Sequence, residues 1–297
     1  GFQFETQALR FVTREGQRWP GGNVALTWTQ PEAQAPARGE LRADRLDLGA
    51  LRAIATRLPL GTATLTTLQA YAPGGVVESI QARWEGPAGA PDRYEARGRV
   101  SGLELASQPG AEGRPGVPGL RGADVDFDLT QAGGKARLAL QRGALSFPGV
   151  FEEPDIRFDQ LAAELSWQVK GPQLALQVAG LRFANADVQG EATANWRTSD
   201  GGGPGGSRFP GVLDLQGSLS RADGARVWRY LPLGVGRPAR QYVRDAVLAG
   251  TARGGRFRVR PSRTTGQGNS RSRRRCATSP SPTCHAACSR SRRPGPR

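Results

Sequence analysis

Apolar and polar residues alternate along most of the first 260 residues of the chain. The clearest example is the segment from Asp124 to Leu129, in which three aspartates alternate with Val125, Phe127 and Leu129. The same period of two recurs in further segments, whose apolar members are Phe2 and Phe4; Val24, Leu26 and Trp28; Val76, Ile80, Ala82 and Trp84, with Glu78 as a polar exception; Tyr94, Ala96, Gly98 and Val100; Ala136, Leu138 and Leu140; Leu161, Ala163, Leu165, Trp167 and Val169; Leu174, Leu176 and Val178; Val188, Ala192, Ala194 and Trp196; Leu213, Leu215 and Leu219; and Phe257 and Val259. This spacing predicts meandering antiparallel β-strands, each with one apolar face and one wet face.

Two short segments have helical spacing instead. Leu48, Leu51, Ala55 and Leu58 predict a short helix that closes at Pro59. A second stripe, with Pro238 at its first helical position and Gly250 as its stop signal, consists of Ala239, Tyr242, Val243, Ala246 and Val247. The segment from Ala106 to Gly122 is rich in Gly and Pro and predicts a long loop. The predicted fold class is all-β, mainly antiparallel, with one or two short amphipathic helices.

Strands with one apolar face are compatible with two architectures. Two sheets can press their apolar faces together in a closed sandwich, or one long curved sheet can leave an apolar trough open. The alternation is the same in both cases, so the pattern does not choose between them. A closed sandwich is the default for globular β proteins.

Charge and composition divide the chain near residue 260. Nine of its 15 net positive charges are arginines of residues 261–297, a segment without any acidic residue. All three cysteines and the single histidine lie there too, and the segment contains no Val, Ile, Leu, Phe, Tyr or Trp. We therefore predict a folded body over residues 1–260 and a disordered tail over residues 261–297. The body has no Cys or His, which excludes Cys/His catalysis, disulfides and most zinc sites from it.

The tail allows three interpretations. Its arginines are typical of an arm that binds the phosphates of nucleic acid or of anionic lipid. Cys276, Cys284, His285 and Cys288 have the side chains of a zinc site, but their spacing matches no common zinc module. We favour the third interpretation, an out-of-frame translation product that replaces a further apolar strand. Sequencing the gene tests it: an intact reading frame through this junction, with no apolar alternative frame, excludes it.

The body offers little that is typical of an enzyme. Asp124, Asp126 and Asp128 match the wet face of a strand and lack the glycine-bearing turn of a calcium loop. The acidic run at Glu152, Glu153 and Asp155 has no evident partner for acid/base chemistry. Gly234-x-Gly236-x-x-Ala239 opens a helix but does not follow a strand, as a dinucleotide site requires. We expect no enzymatic activity, no cofactor and no metal.

Several phrases resemble one bacterial family. They are VWRYLP (227–232), ARQYVRDAVLAG (239–250), ELRADRLDLGALRAIATRLPL (40–60), APGGVVESIQARWEG (72–86) and SFPGVFEEPDIRFDQLAAELSW (146–167). Their order and spacing are similar to those of the YhdP-type branch of the AsmA-like envelope proteins. The resemblance covers residue 2 to about residue 260.

This resemblance implies a fold and a function. It implies an elongated curved sheet, or β-taco, whose apolar groove carries phospholipid acyl chains across the periplasm between the inner and outer membranes, without enzymatic chemistry. Because the chain lacks Met, we expect it to be a piece of a longer protein. It has no apolar run of the length that a membrane-spanning helix needs, so we expect the inner-membrane tether to lie outside this piece. No nucleic acid partner is expected. The residues predicted to face the lipid are Leu161, Leu165, Trp167, Leu174, Leu176, Val178 and Val188. The alternatives are ordinary core packing for these residues and, for the protein, a periplasmic β-sandwich scaffold without lipid cargo.

Overall fold

The structure, a computed structural model, describes residues 1–12, 14, 16, 18–19, 21–31, 36–55, 62–87, 90–110, 115–199 and 211–260. All of them lie in the first of two compact units, Gly1–Pro261. The second unit, Ser262–Arg297, lies outside the described residues. The predictions made for the tail, including those for Cys276, Cys284, His285 and Cys288, therefore fall outside them as well.

Most of the described chain is β-strand, as the alternation predicts. The strands are β1 (Phe2–Thr6), β2 (Phe11–Val12), β3 (Arg18–Trp19), β4 (Asn23–Thr29), β5 (Arg38–Asp47), β6 (Gly74–Glu85), β7 (Arg93–Leu105), β8 (Gly119–Thr130), β9 (Gly133–Ser146), β10 (Asp155–Lys170), β11 (Gln173–Ala184), β12 (Val188–Arg197), β13 (Val212–Asp223), β14 (Thr251–Ala252) and β15 (Gly255–Val259). The helices are α1 (Leu48–Ala55), α2 (Thr62–Tyr71), α3 (Arg237–Ala246) and a 3₁₀ helix (Gly224–Tyr230).

One antiparallel sheet of 13 strands contains all of these strands except β2 and β3. Its order is β1, then β4 to β13 in sequence, with β14 and β15 both pairing with β13. β2 and β3 form a separate two-stranded sheet. The sheet is open and curved, which confirms the predicted all-β class and selects the single open sheet over the sandwich. The part of the chain that the structure describes contains no second large sheet to face this one.

The strand register places apolar side chains next to one another from strand to strand. One set, the middle row, takes one residue from each successive strand between β4 and β13 and ends on β15. Its members are Val24, Ala43, Ile80, Gly98, Phe127, Ala136, Leu165, Val178, Ala194, Leu215 and Val259. No polar residue interrupts the middle row, so the apolar face is continuous across the sheet.

The opposite face of the sheet is polar. Arg83 lies between Glu40 and Glu95 on the two neighbouring strands, with N···O distances of 3.6 and 3.7 Å. Arg137 and Glu164 pair similarly at 3.7 Å. These pairs are exposed, so each contributes little to stability. They do identify the face that is in contact with water.

The two ends of the strands differ. The strand ends Thr29, Glu85, Thr130, Lys170 and Arg197 define one margin of the sheet, the hairpin margin, from which the chain returns in the next antiparallel strand. At the opposite cap margin, α1, the loop 147–154 and the 3₁₀ helix follow the strand ends. Asp47 at the end of β5 accepts a hydrogen bond from the Ala50 backbone N–H (2.8 Å) and so caps the start of α1.

The structure corrects several local predictions. The first predicted helix is present as α1, Leu48–Ala55, and its predicted end at Leu58 and Pro59 lies outside the described residues. The helix α2 was not predicted. The segment 119–122 belongs to β8, not to the predicted loop, and Gln108 bridges to Val117. On β6 a register shift between Val77 and Ser79 makes Val77, not Val76, the buried member of the apolar face. The predicted polar exception at Glu78 therefore lies within the irregular part of the strand.

The helix near the C-terminal end of the body is also shorter and less buried than predicted. α3 ends at Ala246, well before Gly250. Tyr242 is 73% exposed, and Ala239 and Ala246 are exposed too, so most of the predicted apolar stripe faces solvent. Only Val243 and Val247 of that stripe are half-buried, because α3 lies against the 3₁₀ helix and contacts it along a narrow strip.

Candidate functional site

Burial of the apolar face changes along each strand. On β10, Ile156, Phe158, Leu161 and Ala163 near the cap margin are all buried. Further along the same face, Leu165, Trp167 and Val169 are only half-buried. The residues that alternate with them, every second one from Glu164 to Lys170, lie on the opposite face and are exposed. The apolar face is therefore closed at the cap margin and accessible toward the hairpin margin.

The closed part is built from side chains that fold over the sheet. Leu140, only 1% exposed, packs with Ala123 and Leu161 in a buried cluster that Phe147 and Phe151 complete from the loop after β9. A second cluster joins Leu46, Val77 and Val100 to Leu51 and Ile54 of α1. Burying large aliphatic side chains in this way stabilises each by about 1.5–3 kcal/mol relative to exposure. These clusters account for the stability of the cap margin.

The accessible part contains most of the predicted lipid-facing residues. Across β10 and β11, Leu165 faces Val178, Trp167 faces Leu176, and Val169 faces Leu174. We call Leu165, Trp167, Leu174, Leu176 and Val178 the open strip. All are half-buried, and none belongs to the two buried clusters. The main helix contacts of the sheet involve β5, β6 and β13, away from this strip.

The other two predicted residues lie elsewhere on the same face. Leu161 is 6% exposed and Val188 is 5% exposed, and both lie toward the cap margin. Leu161 belongs to the Leu140 cluster. Val188 pairs in register with the buried Ala222. The structure thus brings five of the seven residues together in the open strip and places these two among the packed side chains.

Aromatic rings of the apolar face lie over glycines of the adjacent strand. A Cβ atom added to Gly134 would stand 2.6 Å from Cζ2 of Trp167, and one added to Gly217 would stand 2.6 Å from Cζ of Phe257. The ring of Trp84 occupies the corresponding space over Gly39. Pairing an aromatic residue with a strand glycine lets the ring pack on the backbone. The rings therefore cover the floor of the sheet instead of standing up from it.

A polar cluster attaches the 3₁₀ helix to the cap margin. Arg229 donates hydrogen bonds to Asp187 Oδ2 (2.6 Å) and to Glu153 Oε2 (2.7 Å). Tyr230 donates its hydroxyl hydrogen to Asp187 Oδ2 at 3.2 Å and accepts a hydrogen bond from Asn185 Nδ2 at 2.9 Å. We call these five residues the Arg229 cluster. They connect the 3₁₀ helix to the β11–β12 turn and to the loop before β10.

Backbone groups complete this attachment. Asn185 Oδ1 accepts hydrogen bonds from the N–H groups of Asp187 and Val188, which fixes the β11–β12 turn. The Leu233 N–H donates to the Val150 carbonyl at 2.8 Å. Nearby, the Arg244 guanidinium carbon of α3 lies 4.4 Å from the centroid of the Trp228 ring, a cation–π contact. The VWRYLP phrase therefore serves as an attachment segment.

The electrostatics of the Arg229 cluster follow from its partial burial. Burial raises the pKa of Tyr230 to about 12, and the neighbouring Asp187 carboxylate adds to the effect. Burial lowers the pKa of Arg229, but Glu153 and Asp187 outweigh burial, so the pKa lies above its ordinary value. Asp187, 8% exposed, is one of the few buried charged side chains. The cluster is a structural ion pair with satisfied partners, without a free nucleophile or base.

Four of the six acidic residues considered in the sequence analysis have a polar or charged partner in the structure. Glu153 pairs with Arg229, and Glu152 lies 3.4 Å from Arg244. Asp124 accepts a hydrogen bond from the Gly102 N–H, and Asp126 lies 3.8 Å from Arg99 on the polar face. Within the described ranges, no group of three or more His, Cys, Asp and Glu is arranged to hold a metal ion. Nor does any helix described there have the length and apolarity to cross a membrane.

Sequence reasoning missed the Arg229 cluster. Asn185 and Asp187 stand between two strands and have the composition of an ordinary turn. Arg229 and Tyr230 stood out as part of an unusual phrase, but the phrase gives no partner for them. Their partners lie 42 to 76 positions away along the chain, so only the fold brings them together.

Comparison with known proteins gives one match. The family model described as "YhdP protein" matches residues 1–265. Comparisons with curated proteins and with solved structures gave no match. The matched region includes the whole 13-stranded sheet, the open strip and the Arg229 cluster. By this match over most of its length, the chain belongs to the YhdP family of AsmA-like proteins.

Proposed function

We propose that this chain transports phospholipid without enzymatic chemistry, by carrying acyl chains along the apolar face of its sheet. The observation that carries the proposal is the middle row, which continues without a polar residue from Val24 to Val259. Family membership supports lipid transport in the bacterial envelope. On this basis the lipid would pass through the periplasm between the inner and outer membranes, and a segment outside this chain would tether the protein to the inner membrane.

The physical reason is the cost of exposing hydrocarbon to water. Each buried CH₂ group gains about 0.8 kcal/mol, so a chain of lipid length leaves a continuous apolar surface only at a large cost. Sliding from one strand to the next along the middle row keeps the buried area nearly constant. The barrier to movement along the row is therefore much smaller than the barrier to release into water.

The aromatic and glycine pairs support such movement. A ring that projected from the face would interrupt the path and divide it into separate pockets. Because Trp167 lies over Gly134 and Phe257 over Gly217, these large side chains add apolar area to the floor without forming a wall. The open strip is the part of this floor that we propose contacts the acyl chains, with Leu161 and Val188 supporting it from the packed margin.

Photo-crosslinking at neighbouring positions tests the proposal. A benzophenone amino acid replaces Leu176 or Leu165 on the apolar face, and Gln177 or Ser166 serves as the matched control on the polar face. The protein is irradiated with vesicles of radiolabelled phosphatidylethanolamine and phosphatidylglycerol. We expect labelled lipid on the two apolar-face variants and at most background on the controls. Equal labelling of both faces, or none on either, contradicts the proposal.

A transfer assay tests transport itself. Donor vesicles carry a fluorescent phosphatidylethanolamine with its quencher, and acceptor vesicles carry neither. We expect the chain to accelerate dequenching. Leu176→Asp should abolish the acceleration, because a carboxylate placed in the open strip must be desolvated for an acyl chain to pass. Gln177→Asp on the polar face is the control and should retain transfer. If both variants transfer lipid equally well, the apolar face is not the route.

A further inference from the structure

The aromatic residues of the apolar face are not evenly distributed. Four of the six tryptophans, Trp28, Trp84, Trp167 and Trp196, lie on this face close to the hairpin margin, and Tyr94 joins them. We call these five residues the aromatic belt. Trp84 pairs in register with Tyr94, and the rings of Trp28 and Trp84 lie 6.0 Å apart. Trp167 and Trp196 both flank Leu176, so the belt recurs from β4 to β12.

The cap margin has a different set of aromatic residues. There Phe147 and Phe151 pack edge to face at 5.8 Å, and Phe158 and Phe183 do so at 6.5 Å. These rings have no polar atom, and they lie in the buried cluster. Tyr230 joins this cluster, but its hydroxyl is used in the Arg229 cluster. Aromatic residues with a polar atom and aromatic residues without one are thus largely separated between the two margins of the same face. Trp19, in the cluster that α1 covers, and Phe2, which pairs with Trp28, are exceptions.

This separation follows a known physical preference. Tryptophan and tyrosine rings have an apolar body and a polar atom, so they concentrate where an apolar region meets a wet one. Beyond the belt, the hairpin margin presents exposed polar residues, among them Gln131, Lys170 and Gln173. Apart from Val169 and Leu174 beside the β10–β11 turn, the sequence of environments from the hairpin margin inward is therefore polar, amphipathic aromatic, aliphatic and finally buried phenylalanine. It is the order found from the headgroups to the centre of a bilayer leaflet.

The dimension along the strands agrees with this comparison. From Trp167 of the belt to Ala163, the first buried residue, the apolar face of β10 extends about 14 Å at roughly 3.4 Å per residue. The hydrocarbon of one leaflet is about 15 Å thick, half of the ~30 Å core of a bilayer. An acyl chain therefore fits lengthwise along the strands, between the belt and the packed margin.

We infer that the aromatic belt sets the orientation of the bound lipid. The glycerol and ester groups lie at the level of Trp28, Trp84, Tyr94, Trp167 and Trp196, the headgroups extend past the hairpin tips into water, and the chain ends point to the cap margin. This inference rests on the proposed lipid transport and adds the orientation of the lipid to it. It also makes the belt specific for amphiphiles whose polar and apolar parts meet at one level, as in glycerophospholipids.

Fluorine NMR of the full chain, labelled with fluorotryptophan and assigned by single Trp→Phe substitutions, tests the orientation. The probes are two phosphatidylcholines with a nitroxide on one acyl chain, either near the ester or near the terminal methyl. We expect the ester-end nitroxide to broaden the signals of Trp28, Trp84, Trp167 and Trp196 more than the methyl-end nitroxide does. Trp19, 7% exposed in the cluster that α1 covers, and Trp228, on the 3₁₀ helix, are internal controls whose signals the ester-end nitroxide should broaden least.

The outcomes separate the two ideas. If the methyl-end nitroxide broadens the belt signals as much as or more than the ester-end nitroxide, lipid is bound in another orientation, and the inference fails while transport stands. If neither probe affects the belt, lipid does not occupy this face, and both ideas fail. Equal broadening of all six tryptophans shows adsorption without a defined site and also overturns the inference. Stronger broadening of the belt by the ester-end probe supports it.

Discussion

Leucine truncation at two positions of the same face distinguishes an accessible strip from a closed core. Leu140 is 1% exposed and lies in the cap-margin cluster, whereas Leu176 is half-buried in the open strip. Removing a fully buried leucine side chain costs its transfer free energy and leaves a cavity. Removing a leucine that already faces water costs only the part that was buried.

The expected magnitudes follow from this difference. For Leu140→Ala we expect a loss of about 3 kcal/mol in the free energy of unfolding, within the range of large-to-small core substitutions. For Leu176→Ala we expect about 1 kcal/mol, roughly half of the transfer free energy of a leucine side chain. Gln177→Ala, on the polar face next to Leu176, should change stability by less than about 0.5 kcal/mol.

Urea unfolding of the lipid-free protein, followed by circular dichroism, measures the three values. The slopes of the transitions should agree among the variants, so that the midpoints report stability. If Leu176→Ala destabilises the protein as much as Leu140→Ala, a second layer closes over the open strip. In that case the apolar face is a core and the reasoning behind lipid transport is refuted.

Three further predictions concern the cap margin and the floor. Arg229→Ala leaves the buried Asp187 without its ion pair, so we expect the free energy of unfolding to fall by about 3 kcal/mol and hydrogen exchange to become faster over residues 224–246. Arg229→Lys should be intermediate, because a lysine lacks the planar fork that reaches both carboxylates. Unchanged exchange contradicts this role. The pKa of Tyr230 is raised to about 12 from 10.0 for a free tyrosine, so its contribution to stability is full below pH 10 and lost between pH 10 and 12. In an ultraviolet absorbance titration, one of the four tyrosines should ionise at a higher pH than a free tyrosine does. Tyr230→Phe should remove that step. Gly134→Ala forces the Trp167 ring from the sheet, so we expect the free energy of unfolding to fall by about 1–3 kcal/mol and the tryptophan fluorescence to change. Gly234→Ala is the control: Gly234 has open space around it, so both quantities should stay unchanged.

Much of the fold was predictable because alternation reports directly on strands. The runs around Phe127, Leu165 and Leu215 occupy the apolar face in register, as the period of two requires. Irregularities were not predictable. A bulge such as the one between Val77 and Ser79 depends on the partner strand, and the partner is unknown from a single segment. The helix Thr62–Tyr71 has no apolar stripe, so its spacing gave no helical signal.

The open strip could be predicted only in part. Leu161 and Leu165 lie on the same strand and the same face, and the sequence treats them alike, yet one is buried and the other half-buried. The difference arises from what covers them. Phe147, Phe151 and Tyr230 pack from segments outside the strand against the buried cluster that contains Leu161, and Leu165 does not belong to that cluster. Alternation records which face is apolar, but not how much of that face other segments cover.

The Arg229 cluster therefore has a larger consequence for the apolar face than its distance from the open strip implies. It fixes the 3₁₀ helix, and with it Tyr230, over the cap margin through the buried Asp187 carboxylate, and its five members lie on three separate segments. A purely apolar contact would allow the covering segment to slide over the equally apolar strip, because hydrophobic attraction has no direction. Hydrogen bonds to Asp187 and Glu153 are directional and hold that segment at one place. The polar attachment at one margin is thus what allows the apolar face to remain uncovered at the other.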